Sequence, residues 1–250
     1  MSIPGVEIYH CHDEYGTISV FENGALRYLA FGEDAQQSCI DTLNPAILHY
    51  EYTQAMMLAL LYKPKPSHVT LLGLGAGSFI HSLRQYDENI VLNAVELRQQ
   101  VVDVAKEWFD LPSYTELSLH IHDACEYMAN APQKSDLIFA DIYNGDGMIE
   151  SQLSPDFLSD CFNNLNSEGI LVLNLWDQGG GSHPQAIQRI RDNFGGHCMT
   201  CLIEDGNLIA YAFKDGLPQI NSRRLQPLAK QLAKKLNIPV HKLLPRLTVV

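Results

Sequence analysis

Apolar residues along this 250-residue chain form short runs, and most of these runs are separated by segments with helical spacing. Five runs are interpreted as strands, and the first of them as a short buried strand. They cover residues 69–72, 90–95, 117–121, 136–140 and 169–175. Between the second and third runs, residues 98–109 have apolar side chains at helical spacing. Strands that alternate with helices predict a parallel sheet covered by helices on both faces.

Two further apolar runs follow these five and are connected differently. Residues 198–203 and 208–213 are separated only by residues 204–207, a spacing that predicts an antiparallel hairpin. Five parallel strands closed by such a hairpin are typical of the methyltransferase-type variant of the doubly wound Rossmann fold. We therefore predict an α/β protein with this sheet, a prediction that concerns the fold and leaves the function open.

The first 44 residues have the pattern of a small β appendage. Residues 17–21 and 25–30 are strand-like and flank Asn23-Gly24, a dipeptide that strongly favours a tight hairpin. Residues 45–62 are then expected to form a helix. We predict three parts: a small β-hairpin domain (1–44), a Rossmann-like domain (45–220) and a basic amphipathic C-terminal helix or tail (221–250).

The C-terminal tail differs from the rest of the chain in charge. It holds seven of the 17 basic residues and no acidic residue, so residues 1–220 contain 10 basic and 29 acidic side chains, a net charge of −19. An apolar stripe on this segment consists of Leu225, Leu228, Leu232 and Leu236. A membrane-surface or RNA-binding role is one interpretation. We favour another, in which the leucines pack on the acidic body of the chain or on a partner subunit.

Composition limits the classes of protein. The net charge of −12 argues against nucleic-acid binding, which needs basic side chains to neutralise phosphates. It suits a cationic small substrate, although solubility alone explains it equally well. The N-terminus lacks the features of a secretion signal, and the longest apolar run, residues 55–62, is too short to span a bilayer. Six cysteines without a regular framework favour reduced thiols, so we expect a cytoplasmic protein without membrane contact.

A glycine-rich turn, Gly73-Leu74-Gly75-Ala76-Gly77, lies between the first buried strand and the following helix. Glycines there allow left-handed backbone conformations and let a ligand approach the backbone. This strand–turn–helix context is the one that a nucleotide-binding turn requires. A tight turn without a ligand is the alternative, and we consider nucleoside binding the better interpretation.

Acidic residues follow the next two strands. Glu96 comes 19 residues after Gly77, close to the spacing of the acid that binds ribose hydroxyls in dinucleotide sites. An exposed strand-end carboxylate is the alternative for Glu96. Asp123 can accept a hydrogen bond from an adenine amino group, cap the following helix, or do both. Because a pyrophosphate site would need positive charge or bare amides, the two acids favour an adenosyl sulfonium compound.

Asp141 ends the fourth strand, at the sheet edge where doubly wound proteins carry out chemistry. A carboxylate there can hold an ammonium group or remove its proton. With an activated sulfonium donor, the protein has only to align an amine with the reacting carbon and to deprotonate it. A capping or turn residue is the alternative interpretation.

Several motifs together resemble the spermidine synthase family of aminopropyltransferases over residues 16–213. They are Tyr50-Glu51-Tyr52 and residues 72–77, 94–97, 122–124, 137–141 and 165–171, in the order and spacing of the family. The resemblance implies that the donor is bound by Gly73, Gly75, Gly77, Glu96, Leu97, Asp123 and Ala124, with Glu96 on the ribose and Asp123 on the adenine. It also implies that Asp141 is the general base, that Tyr50 lines the active site, and that the protein forms a homodimer.

The chain departs from the family at two positions on the acceptor side. The family has Asp where this chain has Ala76, and a second acid where it has Asn144. Because a diamine such as putrescine is held at both ends by anionic groups, the sequence predicts an intact donor pocket and an altered acceptor pocket. We expect Tyr143, Asn144 and Trp176 to contact the acceptor.

Other clusters of reactive side chains have simpler interpretations. Cys198 and Cys201 lack a second pair at zinc-ligand spacing, so we interpret them as thiols of a hairpin strand. His10-Cys11-His12 is also short of ligands, and no metal site is expected. Residues 179–182 are expected to form a loop at the mouth of the site, and His183 to be a turn residue that could contact substrate.

Three functions are compatible with these residues. The first is transfer of an aminopropyl group from decarboxylated S-adenosylmethionine to a small amine, with release of methylthioadenosine. The second is methyl transfer from S-adenosylmethionine, although residues 73–77 include no Lys or Arg for the carboxylate of that donor. The third is nucleoside binding without catalysis. In the first two the donor is a co-substrate, and no tightly bound cofactor is expected.

Overall fold

A small antiparallel sheet occupies the N-terminal part of the computed structural model, which describes residues 3–32, 35–144, 147–148, 150–176, 183–204, 206–218 and 222–250. Its strands, in spatial order, are β1 (Val6–Asp13), β2 (Gly16–Asn23), β3 (Leu26–Phe31) and β4 (Ala35–Asp41). The predicted hairpin is the central pair, and Gly24 takes the left-handed conformation in its turn, with φ +63°. The predicted β appendage is confirmed, with one further strand on each side of the hairpin.

The remaining strands follow in chain order. They are β5 (His68–Leu72), β6 (Val91–Glu96), β7 (Leu117–Ile121), β8 (Ser135–Ala140), β9 (Tyr143–Asn144), β10 (Gly147–Met148), β11 (Leu165–Leu175), β12 (Cys198–Leu202), β13 (Leu208–Phe213) and β14 (Leu247–Val249). Strands β9 and β10 pair only with each other within the described residues, and the other eight form one large sheet.

The large sheet has the order β14-β12-β13-β11-β8-β5-β6-β7. Its five strands from β11 to β7 run parallel, whereas β13, β12 and β14 pair antiparallel at the other edge. The predicted fold is therefore confirmed: an α/β doubly wound sheet closed by an antiparallel hairpin. The strand order reverses between β5 and β8, and ligands of such folds bind at the ends of the strands beside this switch point.

Helices cover both faces of the large sheet. They are α1 (Glu51–Met56), α2 (Ser78–Tyr86), α3 (Gln99–Trp108), α4 (Ala124–Ala129), α5 (Pro155–Asn164), α6 (Pro184–Asn193) and α7 (Ser222–Leu236). Short 3₁₀ segments cover Met57–Leu61, Glu150–Leu153, Val240–Lys242 and Leu244–Arg246. Within the described residues, none of the helices combines the length and apolar character needed to cross a membrane.

The helix expected over residues 45–62 is shorter than predicted. Its first helical residue is Glu51, because Tyr50 has an extended backbone (φ −84°, ψ 137°) and serves as the N-cap residue. The side chains of Thr53 and Gln54 turn back to donate hydrogen bonds to the carbonyls of Tyr50 and Leu48, at 2.7 and 2.8 Å. Apolar spacing extends beyond the helix because residues before it also pack in the core, as does Leu48.

Alternate residues of each central strand contribute to two cores on opposite faces of the sheet. Leu71 and Phe139 belong to the core that lies under α2 and α7. Leu72 and Ile138 belong to the core that lies under α5 and α6. A third apolar cluster joins the small sheet to α3 and includes Ile18, Val20, Leu29, Ile40, Val101, Val104 and Phe109. This cluster fixes the small sheet beside the glycine turn.

The basic tail packs on the body of its own chain. Leu225, Leu232 and Leu236 are buried, with Ala229 between them, in contact with α2 and the 3₁₀ segment that follows α1. Leu228 does not belong to this stripe, because its side chain is 46% exposed. The tail ends in β14, a strand that the sequence analysis did not predict and that pairs with β12. Three residues are too few for strand periodicity to be recognised.

Candidate active site

The glycine turn connects β5 to α2 in a conformation that requires glycine. Gly73, Gly75 and Gly77 have φ values of +96°, +53° and +84°. A Cβ atom at Gly73 would lie 2.3 Å from the carbonyl oxygen of Asp141, and one at Gly77 would lie 2.5 Å from Leu111 Cδ1. The glycines therefore allow close packing of the turn against the protein as well as access for a ligand.

Glu96 lies against this turn. Its Oε2 accepts a hydrogen bond from the backbone N–H of Leu74 at 3.2 Å, and its Oε1 accepts one from the N–H of Arg98 at 3.0 Å. Burial raises the pKa of the Glu96 carboxyl, and the backbone donors partly offset this effect. Leu97, the next residue, is partly exposed at 36%. The structure thus brings the predicted ribose-binding acid to the glycine turn, 22 residues from Leu74 in sequence.

Asp123 follows β7 and begins the neighbouring helix. Its Oδ1 accepts hydrogen bonds from the N–H groups of Cys125 and Glu126 at 2.8 and 3.0 Å, so Asp123 is the N-cap residue of α4. Ala124 is the first residue of that helix. The N–H of His122 donates to the carbonyl of Glu96 at 3.0 Å, which holds the two acidic positions side by side.

Asp141 follows β8 and accepts two hydrogen bonds from side chains that are distant in sequence. Asn174 Nδ2 donates to its Oδ1 at 2.9 Å, and the hydroxyl of Tyr52 donates to its Oδ2 at 3.4 Å. Burial raises the pKa of Asp141 to about 6, against the opposing effect of these two donors. A carboxyl group with this pKa can take up or release a proton near neutral pH.

Two tyrosines, Tyr52 and Tyr143, lie beside this carboxyl group, and a third, Tyr50, stacks on Tyr52. Tyr50 stacks on Tyr52 with ring centroids 5.7 Å apart, and Gln36 on β4 donates a side-chain hydrogen bond to the Tyr50 hydroxyl. Tyr143 donates its hydroxyl hydrogen to the backbone carbonyl of Asn174 at 3.1 Å. Burial raises the pKa of all three phenols, so they are neutral at physiological pH.

The expected acceptor-side residues are only partly described. Tyr143 is in place beside Asn174, whereas the side chain of Asn144 and residues 179–182 lie outside the described part of the chain. Trp176 directly follows β11, and a Cβ at Gly206 would lie 3.9 Å from its Nε1. His183 immediately precedes α6, at the N-cap position.

Ala76 has no exposed surface and belongs to the apolar cluster between the small sheet and α3. Its side chain therefore contributes to packing between the two parts of the molecule. A carboxylate at this point of the present structure would be placed among apolar groups, at a large cost in free energy. The alanine fits the surroundings that this chain provides.

Several polar residues of the site were missed by sequence reasoning. Tyr52 was recognised within its motif, but its contact with Asp141 was not predicted. Asn174 is a polar residue in the otherwise apolar run 169–175, and this departure from the pattern was a usable signal. Gln36 and Asn207 lie in ordinary polar stretches, and their sequence context gives no indication of a role.

The described residues include no group of three or more His, Cys, Asp or Glu side chains arranged to hold a metal ion. Cys198 and Cys201 lie on β12, where burial raises the pKa of each thiol to about 12. They are therefore protonated at physiological pH and unsuited to nucleophilic chemistry. Both cysteines are part of the packed sheet.

Parallel strands ending in acidic residues beside a glycine turn, with an antiparallel hairpin at the far edge, define the methyltransferase-type class of Rossmann proteins. Human methyltransferase-like protein 13 in complex with SAH has a similar fold, with a TM-score of 0.66, 21% sequence identity, and coverage of 76% of this chain and 94% of the other. A probable spermidine synthase from Corynebacterium glutamicum aligns with a TM-score of 0.74 at 18% identity, over 94% of this chain and 87% of the other.

Sequence comparison then gives the family. Residues 50–193 match the profile of the spermine/spermidine synthase domain. A polyamine aminopropyltransferase from Neisseria meningitidis serogroup A is 31% identical over 230 residues, which are 91% of this chain and 87% of the relative. The chain belongs to the spermine/spermidine synthase family.

Proposed function

We propose that this protein transfers an aminopropyl group from decarboxylated S-adenosylmethionine to an amine acceptor and releases methylthioadenosine. The observation that carries the proposal is Asp141, a carboxyl group with a pKa of about 6 placed between Asn174 and Tyr52 beside the glycine turn. Membership of a family whose relatives are polyamine aminopropyltransferases supports it.

In this proposal the donor occupies the edge of the sheet formed by β5, β6 and β7. Glu96 accepts hydrogen bonds from the ribose hydroxyls, and Asp123 accepts one from the adenine amino group while it caps α4. The backbone at Gly73, Gly75 and Gly77 borders the sulfonium group, and Leu97 and Ala124 border the base. Glu96 ends β6 and Asp123 follows the neighbouring strand β7, and this adjacency supports the arrangement.

Asp141 serves as the general base. The lone pair of the acceptor nitrogen attacks the propyl carbon next to sulfur, the carbon–sulfur bond breaks, and its electron pair goes to sulfur. The nitrogen loses its additional proton to Asp141, which is mostly ionised above pH 6. Because the sulfonium is already a good leaving group, alignment and proton removal are the tasks left to the protein.

The acceptor is expected to lie between Asp141 and the aromatic side chains of Tyr50, Tyr52, Tyr143 and Trp176. The predicted contact with Asn144 concerns a side chain outside the described part of the chain. Among the described residues, the neutral phenols and the Asp141 carboxylate suit an amine that carries its positive charge near Asp141. The apolar surroundings of Ala76 support the view that this chain holds its acceptor differently from an enzyme with a second anionic group at that position.

Methyl transfer from S-adenosylmethionine is the second candidate, because the fold is shared with human methyltransferase-like protein 13. Isothermal titration calorimetry with methylthioadenosine, S-adenosylmethionine and the decarboxylated donor separates the two. We expect micromolar binding of methylthioadenosine and a preference for the decarboxylated donor. Preference for the carboxylated donor would contradict aminopropyl transfer, and absence of binding below millimolar concentration would contradict both candidates.

Turnover is measured as methylthioadenosine released from the decarboxylated donor in the presence of a panel of mono- and diamines. Asp141→Asn should keep donor binding and lose at least about 100-fold in kcat, the usual contribution of a general base. Asp156→Asn, on the exposed first turn of α5, is the matched control and should retain full activity. Full turnover by Asp141→Asn would remove Asp141 as the base.

We also infer that the protein works as a homodimer in the cytoplasm. All six cysteines are free thiols, which supports a reducing compartment. Val6 and Leu43, which are 70% and 78% exposed at the same end of the small sheet, support an apolar contact with a second copy. Light scattering coupled to size-exclusion chromatography measures the mass, and a 28.0 kDa species would contradict the dimer.

A further inference from the structure

Asp141 receives its shorter hydrogen bond from a residue that is itself oriented by another. Asn174 is 2% exposed and donates from Nδ2 to Asp141 Oδ1 at 2.9 Å. Its own Oδ1 accepts a hydrogen bond from Asn207 Nδ2, also at 2.9 Å. The three side chains therefore form a continuous chain of hydrogen bonds from the β12–β13 turn to the carboxyl group.

The direction of this chain matters because an amide group has two different ends. If the Asn174 amide were rotated by 180°, it would present an oxygen atom to the carboxylate, and the contact would be repulsive. Asn207 presents an N–H donor, so only the observed orientation of Asn174 satisfies both contacts. Asn207 therefore supports the orientation in which Asn174 donates to Asp141, although it does not touch the carboxyl group itself.

The surrounding backbone holds both asparagines in place. Asn174 pairs with Ile209 across β11 and β13, and Asn207 directly precedes β13. The carbonyl of Asn207 accepts a hydrogen bond from the N–H of Ile203 at 2.8 Å, which closes the turn.

One side chain of the tail joins the elements on both sides of Asp141. Arg246 donates to Glu204 of the β12–β13 turn at 3.0 Å, and it also donates to Glu51 at the start of α1 at 2.9 Å. The turn that carries Asn207 and the helix that carries Tyr52 are therefore tied to the same guanidinium group.

Within the part of the chain that the structure describes, the other titratable groups that face Asp141 are phenols. Tyr52 approaches from α1, Tyr143 faces the carboxyl from the segment after β8, and Tyr50 lies behind Tyr52. From β5, the glycine turn contributes only backbone at Gly73. The phenols are neutral. A substitution in the asparagine chain can therefore change the group that faces Asp141 from a hydrogen-bond donor to an acceptor while leaving the carboxyl group itself unaltered.

We propose that Asn174 and Asn207 are positioning residues, a relay by which the β12–β13 hairpin orients the Asp141 carboxyl group and favours its ionised form. The catalytic meaning of this relay rests on the proposed function, in which Asp141 removes the proton of the acceptor amine. The relay itself is a property of the protein and can be measured without turnover.

The test follows the Asp141 carboxyl group by ¹³C NMR of aspartate-labelled protein over pH 4–9, with Asp141→Asn used to identify the resonance. Asn207→Ala removes the donor that orients Asn174, and the titration midpoint should rise by about 0.5 to 1 pH unit, a roughly 3- to 10-fold change in proton affinity. Asn207→Asp can only accept, so it should rotate the Asn174 amide and raise the midpoint further.

Leu202→Asp is the matched control, because it places a carboxylate at an exposed position of the same hairpin outside the hydrogen-bond chain. Its midpoint should stay within about 0.2 pH unit of the wild-type value, since exposed charges are screened by solvent. Asn174→Ala should resemble Asn207→Asp if it folds, and the Asn207 variants test the relay in either case. Unchanged midpoints in both Asn207 variants would overturn the proposal.

Turnover distinguishes failure of the relay from failure of the proposed function. If the function is correct, the acidic limb of the kcat/KM–pH profile, which reports the free enzyme, should move to higher pH in Asn207→Ala by the same amount as the NMR midpoint. A uniform fall in kcat/KM at every pH, with an unmoved limb, would indicate a merely structural role and contradict the relay. Shifted midpoints together with no aminopropyl transfer by the wild-type protein would contradict the function and leave the relay standing.

Discussion

At the scale of single residues, the site contains three acidic side chains that differ in their surroundings. Asp141 is a carboxyl group whose pKa lies close to neutrality, whereas Glu96 and Asp123 are fixed by backbone N–H groups. At Asp141, burial disfavours the charge more than the two side-chain donors favour it, and burial also raises the pKa of Glu96. The acids at this edge of the sheet therefore differ in the source of their hydrogen bonds, which are side chains at Asp141 and backbone N–H groups at Glu96 and Asp123.

The raised pKa of Asp141 predicts a pH-dependent change in stability when this residue is replaced by asparagine. A carboxyl whose folded pKa exceeds its unfolded value binds protons more tightly in the folded state, so its ionisation destabilises the fold as pH rises from about 4 to beyond 6. Asp141→Asn should therefore stabilise the protein by about 3 kcal/mol at pH 8 and by little at pH 4.

Urea unfolding followed by circular dichroism at the two pH values measures this effect. The difference between them is the informative quantity, since any loss of packing would be common to both. A variant that is equally stable or less stable than the wild type at pH 8, with no change between the two pH values, would show that ionisation of the Asp141 carboxyl does not destabilise the fold.

At the scale of elements, the β5–α2 turn connects fold and site most directly. Gly73 lets the chain after β8 pass within van der Waals distance of the turn, and the backbone bonds from Gly73 to Val95 and from Asp141 to Leu72, both 2.9 Å, fix that approach. Gly73 belongs to a turn that resembles a ligand-binding motif in sequence. It is thus also required for the close packing of the chain after β5 against the chain after β8.

Gly73→Ala should destabilise the protein by about 3 kcal/mol or more, because the new methyl group meets a backbone carbonyl in a region of φ that disfavours side chains. Gly24→Ala is the control, since Gly24 also has a positive φ but has no atom within 4 Å of an added Cβ among the described residues. It should cost about 1 kcal/mol. Equal costs in thermal or urea unfolding would mean that the contact with Asp141 is not decisive.

At the scale of the whole molecule, one buried arginine ties the small sheet to the donor side of the site. The guanidinium of Arg98 donates to both carboxylate oxygens of Asp13, at 2.9 and 2.7 Å, and to the carbonyl of Gly16 at 2.8 Å. Its side chain is 7% exposed and lies over the ring of Phe31. Because the Arg98 N–H also binds Glu96, the same residue contacts the small sheet and the predicted ribose acid.

Arg98→Ala should lower the free energy of unfolding at pH 7.5 by about 3 kcal/mol, because it leaves Asp13 without its buried partner. Burial raises the pKa of Asp13, but the bonds from Arg98 and Tyr15 outweigh burial and lower it. The ion pair therefore stabilises the fold above the unfolded pKa of about 4, and this contribution is lost as pH falls through the lower folded pKa.

Urea unfolding should consequently show a large difference between wild type and Arg98→Ala at pH 7.5 that shrinks below pH 4. Arg191→Ala, at an exposed position of α6, should change stability by less than about 0.5 kcal/mol. A weaker affinity for methylthioadenosine in Arg98→Ala, with Arg191→Ala unchanged, would support the link to Glu96. A difference in stability that does not depend on pH would contradict an ionic contribution.

The sequence by itself determined the features that depend on neighbouring residues. Four kinds of feature have a local physical cause and were predicted. They are the strands of the parallel sheet, the Asn23-Gly24 turn, the hairpin of β12 and β13, and the glycine turn. The acids at the ends of β6, β7 and β8 were also located correctly on the sheet, since parallel strands end at one edge.

Only the tertiary structure decided which side chains meet. Tyr52, Asn174 and Asn207 are far apart in the chain, yet they converge around Asp141 because β8, β11, β13 and α1 are brought together by packing. The pairing of Arg98 with Asp13 and the addition of β14 to the sheet arise in the same way. Local pattern determines the elements, whereas contacts between them depend on burial and on polar groups satisfied across the whole fold.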